Sequence, residues 1–201
     1  PEPTDELAYE CYRAGIQKRL PWDDARVRAF INDCQQARVL GRTQLAELAA
    51  SCRAAGVALA SHDDSSPARV AESAALGVQL SEFPTNLAAA QAARAAGQAV
   101  LMGAPNLVRG KSHVGWISVR EAVAEGVVEA VVSDYHYPAL LQAPFRLDRL
   151  GICPLDEAWG LVSTGPADAL GQGDTGRIAV GAQADVLVLR YPFEDALDLS
   201  A

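Results

Sequence analysis

The sequence predicts an α/β fold in which helices cover a parallel sheet. An apolar run followed by a helical pattern recurs four times along the chain, at residues 57–61, 78–82, 98–102 and 127–133. Continuous apolar strands that alternate with helices are typical of parallel sheets with both faces covered. Aromatic residues make up only 6% of the 201-residue chain, and aliphatic residues and alanine supply its apolar content. This composition favours the α/β class over an all-β sandwich.

Two parallel architectures fit this alternation, a doubly wound open sheet and part of a (β/α) barrel. Dinucleotide-binding domains of the first kind carry the pattern GxGxxG directly after a strand. No strand of this chain is followed by that pattern, so a dinucleotide-binding Rossmann domain is disfavoured.

The part of the chain before the first strand predicts two helices. Residues 1–22 are polar and interrupted by prolines, and we expect them to be irregular. A helical pattern begins at Asp23, with acidic residues in the first turn that suit the helix dipole, and Gly41 is expected to end it. The second helix has Thr43 as its N-cap and stops at Gly56.

Helix-start signals also follow the strands. Ser66 and Pro67 read as an N-cap and a first helical residue, and Ser118 and Glu121 have the spacing of a capping box. Two further helices and one long loop are predicted at residues 85–97, 138–150 and 103–116.

The last part of the chain differs from the strand–helix units. Residues 154–171 predict a helix, a turn and a short helix. Residues 174–190 predict two short strands separated by a turn at residues 181–183. Because no helix lies between these two strands, we expect them outside the main sheet, in a small β element.

Charge and hydropathy argue against two kinds of partner. The formal net charge is −8 at pH 7, which argues against nucleic acid, because phosphate backbones bind basic surfaces. No apolar run approaches the roughly 20 residues of a transmembrane helix. The opening residues, Pro-Glu-Pro-Thr-Asp, lack the apolar core of a signal peptide. We therefore expect a cytoplasmic protein without a membrane partner.

Polar residues stand at the ends of the four predicted strands. They are His62, Asp63 and Asp64 at the first strand, Glu82 at the second, Asn106 after the third and Asp134 after the fourth. The carboxyl ends of parallel strands form the ligand cleft of α/β folds, so these residues should meet in one place. Each carboxylate alone could cap a helix, but the whole set predicts a functional site.

His62 and Asp134 are the strongest candidates in this set. His62 could be a metal ligand, a general base or a structural residue. The adjacent carboxylates of Asp63 and Asp64 favour metal ligation, because they could fix its tautomer. Asp134 ends an apolar strand, where an isolated carboxylate is costly without a cation or a hydrogen-bond network. We interpret it as a metal-bound general base, with helix capping as the alternative, and Glu82 as a weaker candidate.

The loop after the third strand is basic. It contains Arg109, Lys111 and His113 close to Asn106. In an acidic chain, such a cluster at a strand end suggests an anionic substrate, because Arg grips phosphate bidentately and Lys supplies a point charge. A solvated loop is the alternative.

The strand ends carry longer motifs, which read ASHDDSSPARVAES, SEFPTNLAAA, VLMGAPNLVRGKSHVG and SDYHYPALL in that order. Together they resemble the PhnM family of phosphonate-pathway diphosphatases, in the amidohydrolase superfamily. This family hydrolyses α-D-ribose 1-methylphosphonate 5-triphosphate to the 5-phosphate and pyrophosphate. The later segment GRIAVGAQADVLVL resembles the return strands of the small β-sandwich domain of amidohydrolases.

The resemblance implies the carboxyl-terminal part of a (β/α)8 TIM-like barrel over residues 1–165 and a remnant of the sandwich over residues 166–201. It also implies that His62 ligates metal at a late barrel strand. Asp134 is then the aspartate of the eighth strand, which binds metal and takes the proton of the attacking water. The loop at residues 106–113 faces the polyphosphate. Divalent metal, two ions of zinc or a similar element, and a homo-oligomeric state are expected of the intact enzyme.

The chain departs from the family pattern in two respects. The family's loop usually reads RGGSHSGN, whereas here Lys111 replaces a glycine, and Val114 and Trp116 replace small or polar residues. The family's histidine-containing metal motif of the first strand has no counterpart in residues 1–56. We therefore expect a fold that is incomplete, and a chain that is inactive, without an amino-terminal half or a second chain. The alternatives are a cyclic amidase or deaminase of the same superfamily, or a non-catalytic truncated paralogue.

Overall fold

The computed structural model describes residues 6–110 and 116–189. Its backbone contacts divide the chain into two compact units, Pro1–Val57 and Ala58–Ala201. The candidate site residues belong to the second unit. The division predicted near residue 165 stays a prediction.

The first unit contains two helices, α1 (Glu6–Gln17) and α2 (Asp24–Ala54). The expectation of irregular structure throughout residues 1–22 was wrong, because α1 lies within them. The predicted break at Gly41 was also wrong, since α2 runs through this position. One glycine inside a helix costs only about 1 kcal/mol relative to alanine, which an otherwise helical sequence offsets.

A small apolar cluster joins the two helices of this unit. Val27 and Ile31 are buried in it, and Ile16 and Trp22 pack against them. At the start of α2, the side chain of Asp23 accepts a hydrogen bond from the backbone of Arg26. This N-cap satisfies a backbone donor that has no partner within the helix.

The second unit is built on a parallel sheet of four strands. The strands are β1 (Ala60–His62), β2 (Leu80–Glu82), β3 (Ala99–Gly103) and β4 (Ala130–Val132). They lie in the order β1-β2-β3-β4, and each neighbouring pair is parallel. The predicted parallel sheet and its strand order are therefore confirmed, although the strands are shorter than the apolar runs.

Helices connect and cover these strands. They are α3 (Pro67–Ala75), α4 (Leu87–Ala95), α5 (Ala104–Arg109), α6 (Val119–Ala124), α7 (Pro138–Arg149), α8 (Leu155–Gly160) and α9 (Thr164–Ala169). Ser66 caps α3, with Pro67 in its first turn, as predicted. Ser118 precedes α6 but makes no side-chain cap hydrogen bond, so the predicted capping box is not formed.

Helix α5 is a correction to the predicted long loop. Its sequence, Ala-Pro-Asn-Leu-Val-Arg, contains Pro105 in the first turn, where a missing backbone donor costs nothing. Gly110 ends the helix in the left-handed conformation, with φ of 80°. A Cβ at Gly110 would displace the guanidinium of Arg120, the flexible end of that side chain, so the positive φ is the main reason for glycine at this position.

The side chain of Arg120 forms hydrogen bonds with carbonyl groups near the carboxyl end of α5. Its Nε donates to the carbonyl oxygen of Leu107 at 2.8 Å, and its Nη2 donates to that of Val108 at 2.6 Å. Partial burial lowers the pKa of this guanidinium, and nearby Arg146 lowers it further. A cation at this position satisfies helix carbonyl groups that have no partner within the helix.

We expect Arg120→Met to lower the free energy of unfolding by about 1–3 kcal/mol, because two carbonyl groups lose a charged donor. Urea denaturation followed by circular dichroism measures this. The matched control is Arg69→Met, which removes an exposed pair with Glu72 on α3 and should cost less than about 1 kcal/mol. Similar losses in the two variants would contradict the structural role of Arg120.

The free edge of β4 is partly covered by the segment between α8 and α9. The backbone nitrogen of Val131 donates to the carbonyl oxygen of Leu161 at 2.7 Å. Gly165, in the first turn of α9, lies so close to β4 that a Cβ there would collide with the carbonyl oxygen of Glu129. A residue without a side chain is therefore required at position 165.

The two strands predicted within residues 174–190 are not formed in the described part, residues 174–189. Three apolar side chains of this segment, Ile178, Val180 and Val188, are 96%, 108% and 89% exposed. Strands require partners for their backbone groups, and no segment among residues 6–110 and 116–189 pairs with this one. The segment lies outside the four-stranded sheet, as predicted. The barrel and the sandwich remnant stay predictions.

No helix in the described residues has both the length and the apolar character needed to cross a membrane.

Candidate functional site

A cavity of about 320 Å³ lies at the carboxyl ends of the strands. All four strand ends contribute to its wall. The polar side chains that line it are His62, Asp63, Asn106 and Asp134. The structure therefore brings His62 and Asp134 to one cavity, and their roles in catalysis stay predictions.

His62 is the last residue of β1, and its imidazole is held from two sides. Its Nδ1 lies 2.9 Å from Oδ1 of Asp63, a buried oxygen that has no aligned hydrogen-bond donor among the described residues. The ring of Phe83 meets the imidazole edge to face, with centroids 5.2 Å apart. A carboxylate beside Nδ1 favours a proton on that nitrogen, which would leave Nε2 available to accept a hydrogen bond or to bind a cation.

Three residues at strand ends have a backbone conformation that is rare outside glycine. Asp63, Phe83 and Asp134 have φ values of 61°, 55° and 50°. Aspartate tolerates the left-handed region better than most residues, whereas a bulky residue such as phenylalanine rarely adopts it. Strained backbone of this kind clusters at functional sites, and here all three residues line the cavity.

Asp64 and Glu82 lie close to the cavity but are not among the residues that line it. Asp64 is only 5% exposed, and one of its carboxylate oxygens accepts a 2.6 Å hydrogen bond from the hydroxyl of Ser61. Its carbonyl oxygen accepts another from the backbone of Thr85, so Asp64 stabilises the turn after β1. Glu82 pairs with His62 in the register of the sheet.

Asn106 and Arg109 lie three residues apart on α5, which places them on one side of the helix. Asn106 lines the cavity, and its Oδ1 accepts a 3.1 Å hydrogen bond from Nη2 of Arg109. The same Nη2 donates to the hydroxyl of Tyr135, which follows Asp134 in the chain. Lys111 and His113, the other predicted substrate-binding residues, lie outside the described residues.

The sequence motifs did not reveal the apolar wall of the cavity. Phe83, Pro84, Met102, Trp116 and Ile117 form it. The position of Phe83 and Pro84 directly after a strand end was the available signal, but apolar residues at such positions more often belong to the core.

The described residues supply only part of a metal site. His62 and Asp134 fit two ligand positions, because an imidazole and a carboxylate are usual ligands of zinc. No group of three or more His, Cys, Asp or Glu side chains that could hold a metal ion lies in the described part of the chain. A catalytic zinc site uses three protein ligands, so further ligands would have to come from elsewhere.

The motif resemblance is confirmed by a curated relative. The chain is 40% identical over 182 residues to the alpha-D-ribose 1-methylphosphonate 5-triphosphate diphosphatase of Escherichia coli strain K12. The match covers 89% of this chain and 48% of the relative, so the chain spans about half the length of the protein it matches. No profile of a protein family matches the sequence.

Solved structures show a similar fold. An uncharacterized protein aligns with a TM-score of 0.52 and 22% identity, over 70% of this chain and 40% of its own. A prolidase complexed with N-methylphosphonate-L-proline aligns with a TM-score of 0.52 and 20% identity, over the same shares of the two chains. At these identities the likeness shows the fold alone.

Proposed function

We propose that this chain forms the carboxyl-terminal half of a metal-dependent hydrolase of phosphonate catabolism. The proposed reaction converts α-D-ribose 1-methylphosphonate 5-triphosphate to the 5-phosphate and pyrophosphate. The 40% identity to a diphosphatase of that name carries the proposal. A match over 89% of the chain includes all four strand ends that line the cavity.

In the proposed mechanism, His62 and Asp134 hold divalent metal, two ions in the intact enzyme, together with ligands from outside the described residues. Bound divalent metal lowers the pKa of water towards roughly 7 and stabilises negative charge on phosphoryl oxygens. Asp134 takes the proton of the attacking water. Asp63 keeps the imidazole of His62 oriented, and the apolar wall restricts entry of bulk water.

The basic side chains near the cavity are proposed to bind the triphosphate. Arg109 on α5 offers a planar cation suited to phosphate oxygens, and it donates to Asn106, which lines the cavity. Lys111 and His113 follow α5 directly in the sequence. Binding of an uncharged cyclic amide would not require this concentration of positive charge in an acidic chain.

The sheet supports the proposal that this chain is part of a larger barrel. Its strand order shows no reversal, as in a barrel, whereas doubly wound sheets reverse at a switch point. Among the described residues, β1 pairs only with β2, so one edge is open for a preceding strand. An amino-terminal half or a second chain is the proposed partner there. The exposed apolar residues between 178 and 188 are proposed to join a small sandwich domain.

The proposal is tested by restoring the missing half. The chain is produced alone and together with the amino-terminal half of the E. coli relative, and zinc content and pyrophosphate release from the ribose triphosphate ester are measured. We expect zinc binding and hydrolysis only in the combination, because the described residues provide two ligands and catalytic zinc needs three.

His62→Ala in the combination serves as a control and should reduce bound zinc. If the combination retains zinc but releases no pyrophosphate, the proposed reaction is wrong. If the chain alone binds zinc and hydrolyses the ester, the requirement for a partner is wrong.

A further inference from the structure

The side chains of Arg109 and Tyr135 connect two strand ends of the candidate site. Arg109 ends α5, which follows β3, and Tyr135 follows Asp134 beyond β4. Nη2 of Arg109 donates to the hydroxyl oxygen of Tyr135, and the guanidinium carbon lies 5.7 Å from the centroid of the tyrosine ring. The contact therefore combines a hydrogen bond with a cation–π interaction.

Two further hydrogen bonds hold the same guanidinium. Its Nε donates to the carbonyl oxygen of Pro105 at 3.3 Å, and its Nη2 donates to Oδ1 of Asn106 at 3.1 Å. A long side chain that is exposed to solvent would otherwise sample many rotamers. Arg109 is instead fixed beside the cavity that Asn106 lines.

All three groups that hold Arg109 are uncharged. Other arginines of the described residues pair with carboxylates, namely Arg13, Arg69, Arg94 and Arg177. Arg109 has no carboxylate within ion-pair distance, and its Nη1 has no hydrogen-bond partner, among the residues that the structure describes. A cation that is fixed in place and not neutralised by an acid is suited to receive an anion.

The side chain of Tyr135 is not part of the hydrophobic core. Its side chain is 60% exposed, and the neighbouring Tyr137 is 78% exposed. An exposed aromatic residue contributes little by burial, and the ring and hydroxyl of Tyr135 instead contact Arg109.

We propose that Tyr135 is a positioning residue that presents the guanidinium of Arg109 to a phosphate group of the substrate. This inference rests on the proposed function, because it names how the same site selects a polyphosphate. Tyr135 acts through Arg109: the hydroxyl accepts from Nη2, and the ring limits movement of the guanidinium.

The test measures the binding of inorganic triphosphate to the full chain by isothermal titration calorimetry at constant salt. The variants are Tyr135→Phe, Arg109→Ala and the two combined, with Tyr137→Phe as the matched control. We expect Tyr135→Phe to weaken binding about three- to tenfold, the effect of one hydrogen bond. Arg109→Ala should weaken it more, and Tyr137→Phe should bind as the unchanged chain does.

The combined variant decides whether Tyr135 acts through Arg109. If it does, adding Tyr135→Phe to Arg109→Ala should cause no further loss, because coupled residues are not additive. A full further loss would show that the tyrosine meets the anion directly and would overturn the positioning role. Unchanged binding in Tyr135→Phe, or no triphosphate binding by the unchanged chain, would also overturn it.

This outcome is separable from that of the proposed function. If the anion binds with the expected dependence on Tyr135, but the restored enzyme releases no pyrophosphate, the positioning role stands and the proposed reaction fails. If pyrophosphate is released and Tyr135→Phe changes neither KM nor triphosphate binding, the reaction stands and the positioning role fails.

Discussion

Asp134→Asn should lower the turnover number of the restored enzyme by about 10²- to 10⁴-fold, the usual contribution of a general base. Asparagine has nearly the same shape and also tolerates positive φ, so the bend after β4 should persist. The substitution removes the negative charge that is proposed to take the proton of water and to bind the cation. Initial rates of pyrophosphate release at saturating substrate measure the effect, and circular dichroism checks the fold.

Asp33→Asn is the matched control for this substitution. Asp33 lies on α2 and is exposed, and it is not among the residues that line the cavity. The same chemical change there should leave turnover unaltered. Near-normal turnover by Asp134→Asn would refute its role as the base and would favour a purely structural role for this carboxylate.

Arg109→Ala should lower kcat/KM for the ribose triphosphate ester by about 10- to 150-fold. This range corresponds to the roughly 1.5–3 kcal/mol contributed by a hydrogen bond to a charged group. A neutral cyclic amide should lose much less, because it offers no phosphate oxygen to the guanidinium. The measurement is kcat/KM for both compounds, in the unchanged enzyme and in the variant.

Two further substitutions serve as a control and a comparison for Arg109→Ala. Arg69→Ala removes an exposed arginine on α3 that pairs with Glu72, and it should leave both substrates unaffected. Lys111→Ala should cost less than Arg109→Ala, because Lys is a flexible point charge. Equal losses for the charged and the neutral substrate would mean that Arg109 supports the structure of α5, and a cyclic amidase would then be the better interpretation.

The order and direction of the strands could be predicted because each strand is a separate apolar run followed by a helix signal. His62 and Asp134 could be predicted for the same reason, since each stands where such a run ends. The geometry of parallel sheets then brings both to one edge. Neither prediction requires knowledge of contacts between residues that are far apart in the sequence.

The features that could not be predicted depend on contacts between distant residues. Helix α5 begins with Ala-Pro after Gly103, a sequence that locally favours a turn, and it is stabilised by Arg120, more than ten residues later in the chain. The contact between Arg109 and Tyr135 spans two strand–helix units. Positive φ at Phe83 is imposed by the tertiary structure, because the residue itself disfavours it.

The close approach of Gly165 to β4 has a consequence for how this chain behaves at high concentration. Ala130, Val131 and Val132 form a short apolar strand, and an uncovered strand of this kind is a template on which other copies add. The hydrogen bond from Val131 to Leu161 occupies that template, and it depends on the absence of a side chain at position 165. Gly165 therefore allows the segment around Leu161 to cover this edge among the described residues. In a closed barrel the same edge of β4 would pair with another strand. The segment that includes Leu161 would then have to move away from this edge.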